Sequence, residues 1–308
     1  MKRALVFAGH SFVGRWLIRE LQQHGWTTVN AVRRTAADGD LSCDLFDANR
    51  IEEVIAQTAP TWIFQCGGAT TGNDPRATFN LHVTGTFNVL DAVRRHAPAA
   101  GVMLMGSAAE YGNTNAADFP IREDHPGTPC SFFGASKAAQ TQLAHVAALE
   151  WGLRLVTVRP FNVIGPGLPA HYFAAALAAR MRQPIARASR EVQILNANAT
   201  RDFVDVRDLA EGLVGLAETG EPKSGEAVVY NIATGFETSL MTMAEELGRL
   251  AGGIVPVPGG ESSSRGGSTR SCGDASRLRL AIGWKPRRSW QESLQDMWTM
   301  QESLCNAA

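Results

Sequence analysis

Phe7-Ala8-Gly9-His10-Ser11-Phe12-Val13-Gly14 is the stretch that decides how this chain is read. Behind it, Ala4–Ala8 is a short apolar run with the character of a strand. Ahead of it, Val13–His24 carries Val13, Leu17, Ile18 and Leu21 on one helical stripe. A strand passing straight into a helix through small residues is the opening unit of a βαβ fold, and the pattern repeats. Thr27–Val32 reads as a second strand, followed by a helix near Ile51–Gln57 and a buried strand at Thr61–Cys66. A long helix around Thr78–His96 leads to a strand at Val102–Met105, and a helix at Phe133–Trp151 to a strand at Leu153–Val158. Such alternation predicts right-handed crossovers and a parallel sheet covered on both faces, an α/β doubly wound (Rossmann) fold.

After Gly165-Pro166-Gly167 the alternation loosens. A helix is expected near Tyr172–Met181, short strands near Val192–Leu195 and Val228–Ile232, and a helix around Leu240–Ala251. The Gly/Ser-rich run Gly259–Ser271 is expected to be a mobile loop. Residues 1–165 are therefore expected to form the sheet domain, with 203–235 returning to it, and 166–308 to be mostly a smaller α/β subdomain.

Composition narrows the classes. The 308 residues are 44% apolar and 19% charged, ample for a sizeable core. A net charge of -1 offers no footprint for nucleic acid or an anionic membrane. The five cysteines are odd in number and never at CxxC spacing, which argues against a disulfide framework or a zinc site and suits a reducing cytoplasm. The apolar run after Met1-Lys2-Arg3 is too short for a signal peptide, and no run is long enough to span a bilayer. A soluble cytoplasmic protein without metal is expected.

Ligands of open α/β sheets sit beyond the carboxyl ends of the strands. There the turn after strand one meets the free amides and positive end of a helix, a place for phosphate. Strand two ends in Arg33-Arg34 with no acid until Asp38, and Asp44-Leu45 follows a short third strand. Strand four ends in Cys66-Gly67-Gly68 and strand five in Gly106-Ser107-Ala108-Ala109-Glu110-Tyr111-Gly112. Ser131-Phe132-Phe133-Gly134-Ala135-Ser136-Lys137 comes next, then Arg159-Pro160-Phe161-Asn162-Val163-Ile164-Gly165-Pro166-Gly167. Asn196-Ala197-Asn198-Ala199-Thr200-Arg201-Asp202-Phe203 closes the series.

In this order the segments resemble the extended short-chain dehydrogenase/reductase (NAD-dependent epimerase/dehydratase) family. The likeness is greatest to GDP-4-keto-6-deoxy-D-mannose reductases and GDP-mannose 4,6-dehydratases. Tyr230-Asn231-Ile232 and Gly283-Trp284-Lys285-Pro286 extend it over nearly the whole chain. The family's Gly-x-x-Gly-x-x-Gly loop falls on Ala8, Ser11 and Gly14; alternatively Gly9 starts the turn and one residue has been lost. The resemblance implies that Ala8, Ser11, Phe12, Val13 and Gly14 receive a dinucleotide's pyrophosphate, and that Asp44 and Leu45 meet its adenine. It implies that Cys66, Gly67, Gly68, Phe161 and Lys137 also contact the cofactor. Arg33 and Arg34 suit an extra phosphate, so NADP(H) is expected over NAD(H).

For catalysis the resemblance implies a Ser/Thr that orients the sugar oxygen, a Tyr that exchanges its proton, and a Lys four residues later that lowers the Tyr pKa. Ser107 and Lys137 fill their positions, but Phe133 stands where the tyrosine belongs. Three explanations stay open: an impaired Tyr-to-Phe variant, an enzyme with another donor, or a non-catalytic binding homologue. Ala109 occupies the place where related dehydratases carry an acid, and Glu110 should face the other way in an extended segment. Reduction or epimerisation is therefore expected over dehydration.

The resemblance also implies substrate contacts: Ser107, Ala108 and Ala109 with the sugar, Asn162 and Arg201 with the diphosphate, and Asn196 with the base. Arg265, or failing it Arg270, would reach the nucleotide ribose, although the family's Pro and Glu are missing around Arg265. The expected activity is reduction of a 4-keto-6-deoxy GDP-sugar, with a 4-epimerase or dehydratase that retains its cofactor as the alternative. Relatives pair through the helices at Thr78–His96 and Phe133–Trp151, so a four-helix homodimer is expected.

Overall fold

The computed structural model describes residues 2–34, 39–67, 74–219, 222–260 and 269–306. Its centre is a seven-stranded sheet built from β1 (Arg3–Phe7), β2 (Thr27–Val32), β3 (Leu41–Ser42), β4 (Trp62–Gln65), β5 (Gly101–Met105), β6 (Arg154–Pro160) and the strand Ala227–Ile232. Every pairing in it is parallel. The order runs Ala227–Ile232, β6, β5, β4, β1, β2, β3. The chain thus moves outward from β1 to β3, then returns to lay β4 on the other side of β1. Between β1 and β4 the direction of winding reverses, opening a crevice above their carboxyl ends.

Both faces of the sheet are covered, which is why its central strands read as continuous apolar runs: β4 and β5 are buried at every residue. On one face Leu17 and Leu21 of α1 (Phe12–Gln23) pack with Leu209 and Leu213 of the helix Val206–Thr219. On the other, Ile51, Val54 and Ile55 of α2 (Ala48–Thr58) join residues of later helices. Those helices are α3 (Pro75–Phe79), α4 (Gly85–His96) and α5 (Phe132–Trp151). The single helix expected around Thr78–His96 is interrupted by a π-helical turn at Asn80–Thr84, which the 3.6-residue period cannot signal. Ser131 caps α5 by accepting from the Gly134 N–H, and Gly152 ends it in the left-handed conformation.

The second half forms a smaller α/β unit. Its core brings together Leu177 and Met181 of the helix Phe173–Arg182, Met243 and Leu247 of Leu240–Leu250, and Leu294 and Met297 of Trp290–Asn306. Glu191–Ile194 pairs with Val255–Pro258, and Thr200–Arg201 lies between Thr238–Ser239 and Arg270–Ser271. The elements expected near Tyr172–Met181, Val192–Leu195 and Leu240–Ala251 appear within one or two residues of those bounds. Helices Val206–Thr219, Ser276–Ile282 and Trp290–Asn306 were not anticipated. Of the expected mobile loop Gly259–Ser271, residues 261–268 lie outside the described residues, and Arg270–Ser271 is a strand.

Polar contacts tie the two halves. Asp205 accepts from the Arg207 guanidinium and from Ser293 Oγ at 2.6 Å, while Arg207 bridges to Asp296. Trp16 Nε1 of α1 donates to the Pro166 carbonyl at 3.1 Å. No helix among the described residues is long and apolar enough to cross a membrane.

Candidate active site

The turn leaving β1 is shaped by close backbone approach. Ala8 adopts φ 59°, a left-handed conformation that glycine enters freely and an L-residue enters at a cost of roughly 1 kcal/mol. Gly9 N–H donates to Asn30 Oδ1 of β2 at 3.0 Å. Ser11 Oγ accepts from Gly14 N–H at 3.1 Å as the N-cap of α1, and a Cβ on Gly14 would lie 2.5 Å from the Ala8 carbonyl oxygen. The ungapped register is the one observed: Ala8 holds the tight corner, Ser11 the cap and Gly14 the close approach. The first amides of α1 have no carbonyl partner within the helix and point their positive end into the crevice. From β4, Gly67 faces Ala8, where a Cβ would meet the Ala8 Cβ at 3.4 Å.

A cavity of about 680 Å³ begins at Ser11, Phe12 and Val13 and passes Cys66, Ser107, Phe133 and Lys137. It ends among Asn162, His171, Tyr172, Arg201 and Arg270. Ser107 sits where β5 gives way to a short 3-10 turn, and its Oγ accepts from Ala109 N–H at 3.1 Å. Glu110 clamps this turn from behind. One of its oxygens accepts from Ser107 N–H at 2.9 Å; the other accepts from Thr141 Oγ1 at 2.8 Å and Arg159 Nε at 2.9 Å. Burial works against the Arg159 charge, but Glu110 and Tyr111 outweigh it and hold its pKa above the ordinary value. Glu110 therefore does not face the cavity, although the segment is a 3-10 turn rather than the extended run the expectation assumed. Tyr111 is committed too: its hydroxyl donates to Asn231 Oδ1 at 2.6 Å, and burial pushes its pKa up to about 12.

Phe133 and Lys137 are one turn apart on α5, and both enter the cavity wall. The helix is pressed onto the Ser107 turn, for a Cβ on Gly134 would lie 2.3 Å from the Ala109 carbonyl oxygen. The Phe133 ring stands edge-on to His82, whose Nδ1 is 2.7 Å from Ser136 Oγ. Lys137 is 2% exposed, and its Nζ donates to the Met105 carbonyl and to Gln140 Oε1 at 3.0 Å. Burial drives its pKa from 10.5 down to about 8, with the Glu110 charge pulling the other way. Burial likewise pushes the Cys66 thiol up to about 12, so it stays protonated.

At the far end, Arg201 Nη1 donates to the Thr200 carbonyl at 2.7 Å, and the guanidinium has no carboxylate partner among the described residues. Burial lowers its pKa. Asp202, next in sequence, is turned away and accepts from Thr234, Gly235 and Gly273. Arg270 is paired with Glu237 and lies over the Phe119 ring at 4.1 Å.

Of the residues expected from sequence, the cavity brings together Ser11, Phe12, Val13, Cys66, Ser107, Ala108, Ala109, Phe133, Lys137, Phe161, Asn162 and Arg201. Ala8, Gly14 and Gly67 lie in the turns behind its Ser11–Val13 and Cys66 end and are not themselves on the wall. Asp44 lines a separate depression of about 490 Å³ with Phe46, Asp47 and Asn49, while Leu45 is buried beneath Gly67 and Gly85. Asn196 is exposed in a left-handed turn, off the cavity wall. Arg33 and Arg34 are exposed beyond β2, also off the wall. Gly68 and Arg265 lie outside the described residues. Sequence reasoning missed His171 and Tyr172, whose ring centroids are 4.4 Å apart, and Cys130. Their one available signal was position, on loops just before helices of the cavity rim.

The expectation of NADP(H) over NAD(H) is corrected. Beside the β1 turn the structure places Asp40, which accepts from Asn30 Nδ2 at 2.8 Å and lies 2.7 Å from His10 Nε2. A carboxylate there repels an added phosphate, and the Arg33-Arg34 pair, read from position alone, is solvent-exposed. Three solved structures of similar fold carry NAD and a fourth carries NADPH. The structurally similar UDP-glucose 4-epimerase of Thermus thermophilus is a complex with NAD (23% identity, TM-score 0.84, covering 97% of this chain and 99% of that one). NAD is also present in dTDP-glucose 4,6-dehydratase from Bacillus anthracis and in MoeE5. RMD from Pseudomonas aeruginosa, at 25% identity and TM-score 0.83 over 99% of this chain and 100% of that one, holds NADPH.

Among curated proteins, the chain is 30% identical to GDP-6-deoxy-D-mannose reductase of Pseudomonas aeruginosa over 72% of each chain. It is 28% identical to dTDP-6-deoxy-L-talose 4-dehydrogenase (NAD(P)(+)) of Kitasatospora kifunensis over 98% of this chain and 96% of that one. Residues 4–233, from β1 through the last strand of the sheet, match the NAD dependent epimerase/dehydratase family, and the chain belongs to that family.

Proposed function

We propose that the chain is an NAD(H)-dependent reductase of the 4-keto group of a nucleotide-linked 6-deoxy sugar, with GDP the favoured nucleotide. The observation that carries this is the charge on the cavity wall: Lys137, Arg201 and Arg270 are present, and among the described residues no carboxylate lines it. Such a wall suits a diphosphate ester. It also lacks the acid that elimination of water would need, because Ala109 presents a methyl group and Glu110 is bound to Arg159. The names of the Pseudomonas and Kitasatospora relatives, both referring to 6-deoxy sugars, support the same reading.

The β1 turn fits a dinucleotide, since Gly14 lets α1 start hard against the Ala8 carbonyl and Ser11, Phe12 and Val13 bring the helix N-terminus to the cavity. Ser11, Phe12 and Val13 would hold the pyrophosphate and Asp44 the adenine end. The bound dinucleotide supplies hydride. Ser107 orients the ketone oxygen, Asn162 and Arg201 hold the diphosphate, and the Phe133 ring packs against the sugar without a proton to give.

The similarity to UDP-glucose 4-epimerases, 25% identical in Bacillus subtilis, favours a second reading as a 4-epimerase. Stoichiometry separates the two. Purified protein is incubated with NADH and a panel of GDP-, dTDP-, UDP- and CDP-linked 4-keto-6-deoxy sugars, and separately with NAD and the corresponding 4-hydroxy sugars. One NADH oxidised per alcohol formed from the ketones is expected. Conversion of a 4-hydroxy sugar to its 4-epimer with no net change in NAD or NADH would establish epimerisation, and binding without any turnover would sink both.

We infer further that residues 1–165 with 203–235 form the cofactor half and the rest mostly the sugar half, working in the cytoplasm. We also infer a homodimer through α4 and α5. Phe87 of α4 meets Trp151 of α5 edge-to-face, and Phe132, Val146 and Leu149 of α5 are exposed. Leu149→Glu should convert a dimer to a monomer in sedimentation; a native monomer refutes the arrangement.

A further inference from the structure

Phe133 leaves the proposed reduction without a phenolic proton, and the cavity wall offers a replacement. We propose that the ammonium group of Lys137 is itself the proton donor to the ketone oxygen, through a water that fills the space a phenol hydroxyl would take beside Phe133. This rests on the reductase reading.

The geometry is the first support. Lys137 and Phe133 share one face of α5, one turn apart, and both line the cavity with Ser107, the residue placed to orient the ketone. An ammonium group has three N–H donors. Two are used, on the Met105 carbonyl at the end of β5 and on Gln140 Oε1, which leaves one for the cavity. Lys137 makes no ion pair among the described residues, so no carboxylate takes its proton or pins its charge.

The surroundings are the second. The titratable and charged groups around Lys137 come from every packed element. Glu110, behind the Ser107 turn, is bound to Arg159; Cys66, at the end of β4, stays a thiol; Tyr111 is hydrogen-bonded to Asn231; His82, beyond the Phe133 ring, is paired with Ser136. Each is engaged elsewhere or held in its neutral form. With its pKa near 8, Lys137 is charged at neutral pH yet able to give up a proton, which an ordinary lysine is not.

The step balances. Hydride from a reduced dihydronicotinamide dinucleotide adds to the carbonyl carbon, and the C=O π pair moves to oxygen. The oxygen takes a proton from the bridging water, which takes one from Nζ. Alcohol, oxidised dinucleotide and neutral lysine result, and solvent reprotonates the amine.

The chain has four lysines, Lys2, Lys137, Lys223 and Lys285, so ε-¹³C-lysine NMR can titrate Lys137 directly, its signal assigned by loss in Lys137→Met. The expected result is that kcat/KM for reduction is flat at low pH and falls tenfold per pH unit above the Lys137 pKa read by NMR. Gln140→Glu, which places a carboxylate at the atom accepting from Nζ, should move both the NMR value and the kinetic break upward together, by about one pH unit or more. Lys137→Met should lose roughly 10²- to 10⁴-fold in kcat. Phe133→Tyr, where a phenol takes over as donor, should shift the kinetic break away from the native chain's lysine value.

A kinetic break that stays in place while the NMR value moves in Gln140→Glu overturns the proposal, as does a Lys137→Met chain with unchanged kcat. If neither the native chain nor Phe133→Tyr reduces any keto sugar, the reductase reading falls and this inference with it. If Phe133→Tyr reduces a keto sugar and the native chain does not, only this inference falls.

Discussion

A buried lysine whose pKa has fallen must leave a mark on stability, and its sign is fixed by linkage. In the unfolded chain Lys137 titrates near 10.5; in the fold it titrates near 8. Below pH 8 it is charged in both states, and the fold bears the full cost of burying that charge. Between about 8 and 10.5 the unfolded chain holds the proton and the folded chain does not, so stability rises with pH. At about 1.4 kcal/mol per pH unit, the native chain should gain about 3 kcal/mol over this window. Lys137→Met lacks the titrating group and serves as reference. Urea unfolding of both chains at pH 7, 8, 9 and 10 would give the difference directly, with other titrations cancelling between them. We expect the native chain to gain on the variant steadily from pH 8 upward, and the gap to be constant below it. A difference that stays flat from pH 7 to 10 would refute the reasoning, for Lys137 would then titrate alike in both states.

Three other expectations follow from the site. Ala8→Gly should add about 1 kcal/mol of stability by removing a side chain from a left-handed backbone, raising Tm by about 2 °C; an unchanged or lower Tm contradicts the strain. Arg201→Ala should raise KM for the sugar nucleotide about 10- to 100-fold with kcat within a few-fold, since a charged hydrogen bond to the diphosphate contributes roughly 1.5–3 kcal/mol; an unaltered KM removes Arg201 from the site. Glu110→Gln leaves the Arg159 charge buried without its partner and should cost about 3–5 kcal/mol in urea unfolding, and it should lower the Lys137 pKa further because Glu110 supports that charge. Loss of less than about 1 kcal/mol would mean that Arg159 finds another partner.

The fold was legible because burial on both faces writes each strand as an apolar run and each helix as a stripe. β2 was placed to the residue by that signal, and β4 and β5 to within one. What escaped lacks such a period. The turn at Asn80–Thr84 departs from 3.6 residues per turn, and Val206–Thr219 begins inside a polar motif whose acids serve tertiary contacts: Asp205 holds Ser293 and Arg207, and Asp208 receives the amides of Arg287 and Arg288. The cavity residues Ser107, Lys137 and Arg201 were legible from their motifs. Arg33 and Arg34 misled, because position after β2 does not tell which side chain reaches the ribose. Asp40, which does lie beside the β1 turn, belongs to no motif that the sequence marks.

The same substitution that removes one proton donor helps to make another. Where a tyrosine hydroxyl stands one turn before a buried lysine, the two titrate as a coupled pair, and a phenolate can balance the ammonium charge. Phe133 offers Lys137 no charge, so the cost of burial falls on the ammonium with little to oppose it. The pKa falls toward the range in which a general acid is useful near neutral pH. Had Lys137 kept a carboxylate partner, its pKa would have stayed high and the site would hold a charge but no usable proton. The arrangement seen, with Glu110 drawn back onto Arg159 and Gln140 rather than an acid at Nζ, keeps the lysine unpaired. On this reasoning Phe133→Tyr should not simply add activity to a defective site. It should raise the Lys137 pKa as the phenol ionises beside it, giving two macroscopic steps in the lysine titration where the native chain gives one. A single unchanged step in Phe133→Tyr would show that position 133 and Lys137 do not share their charge, and that burial alone sets the lysine.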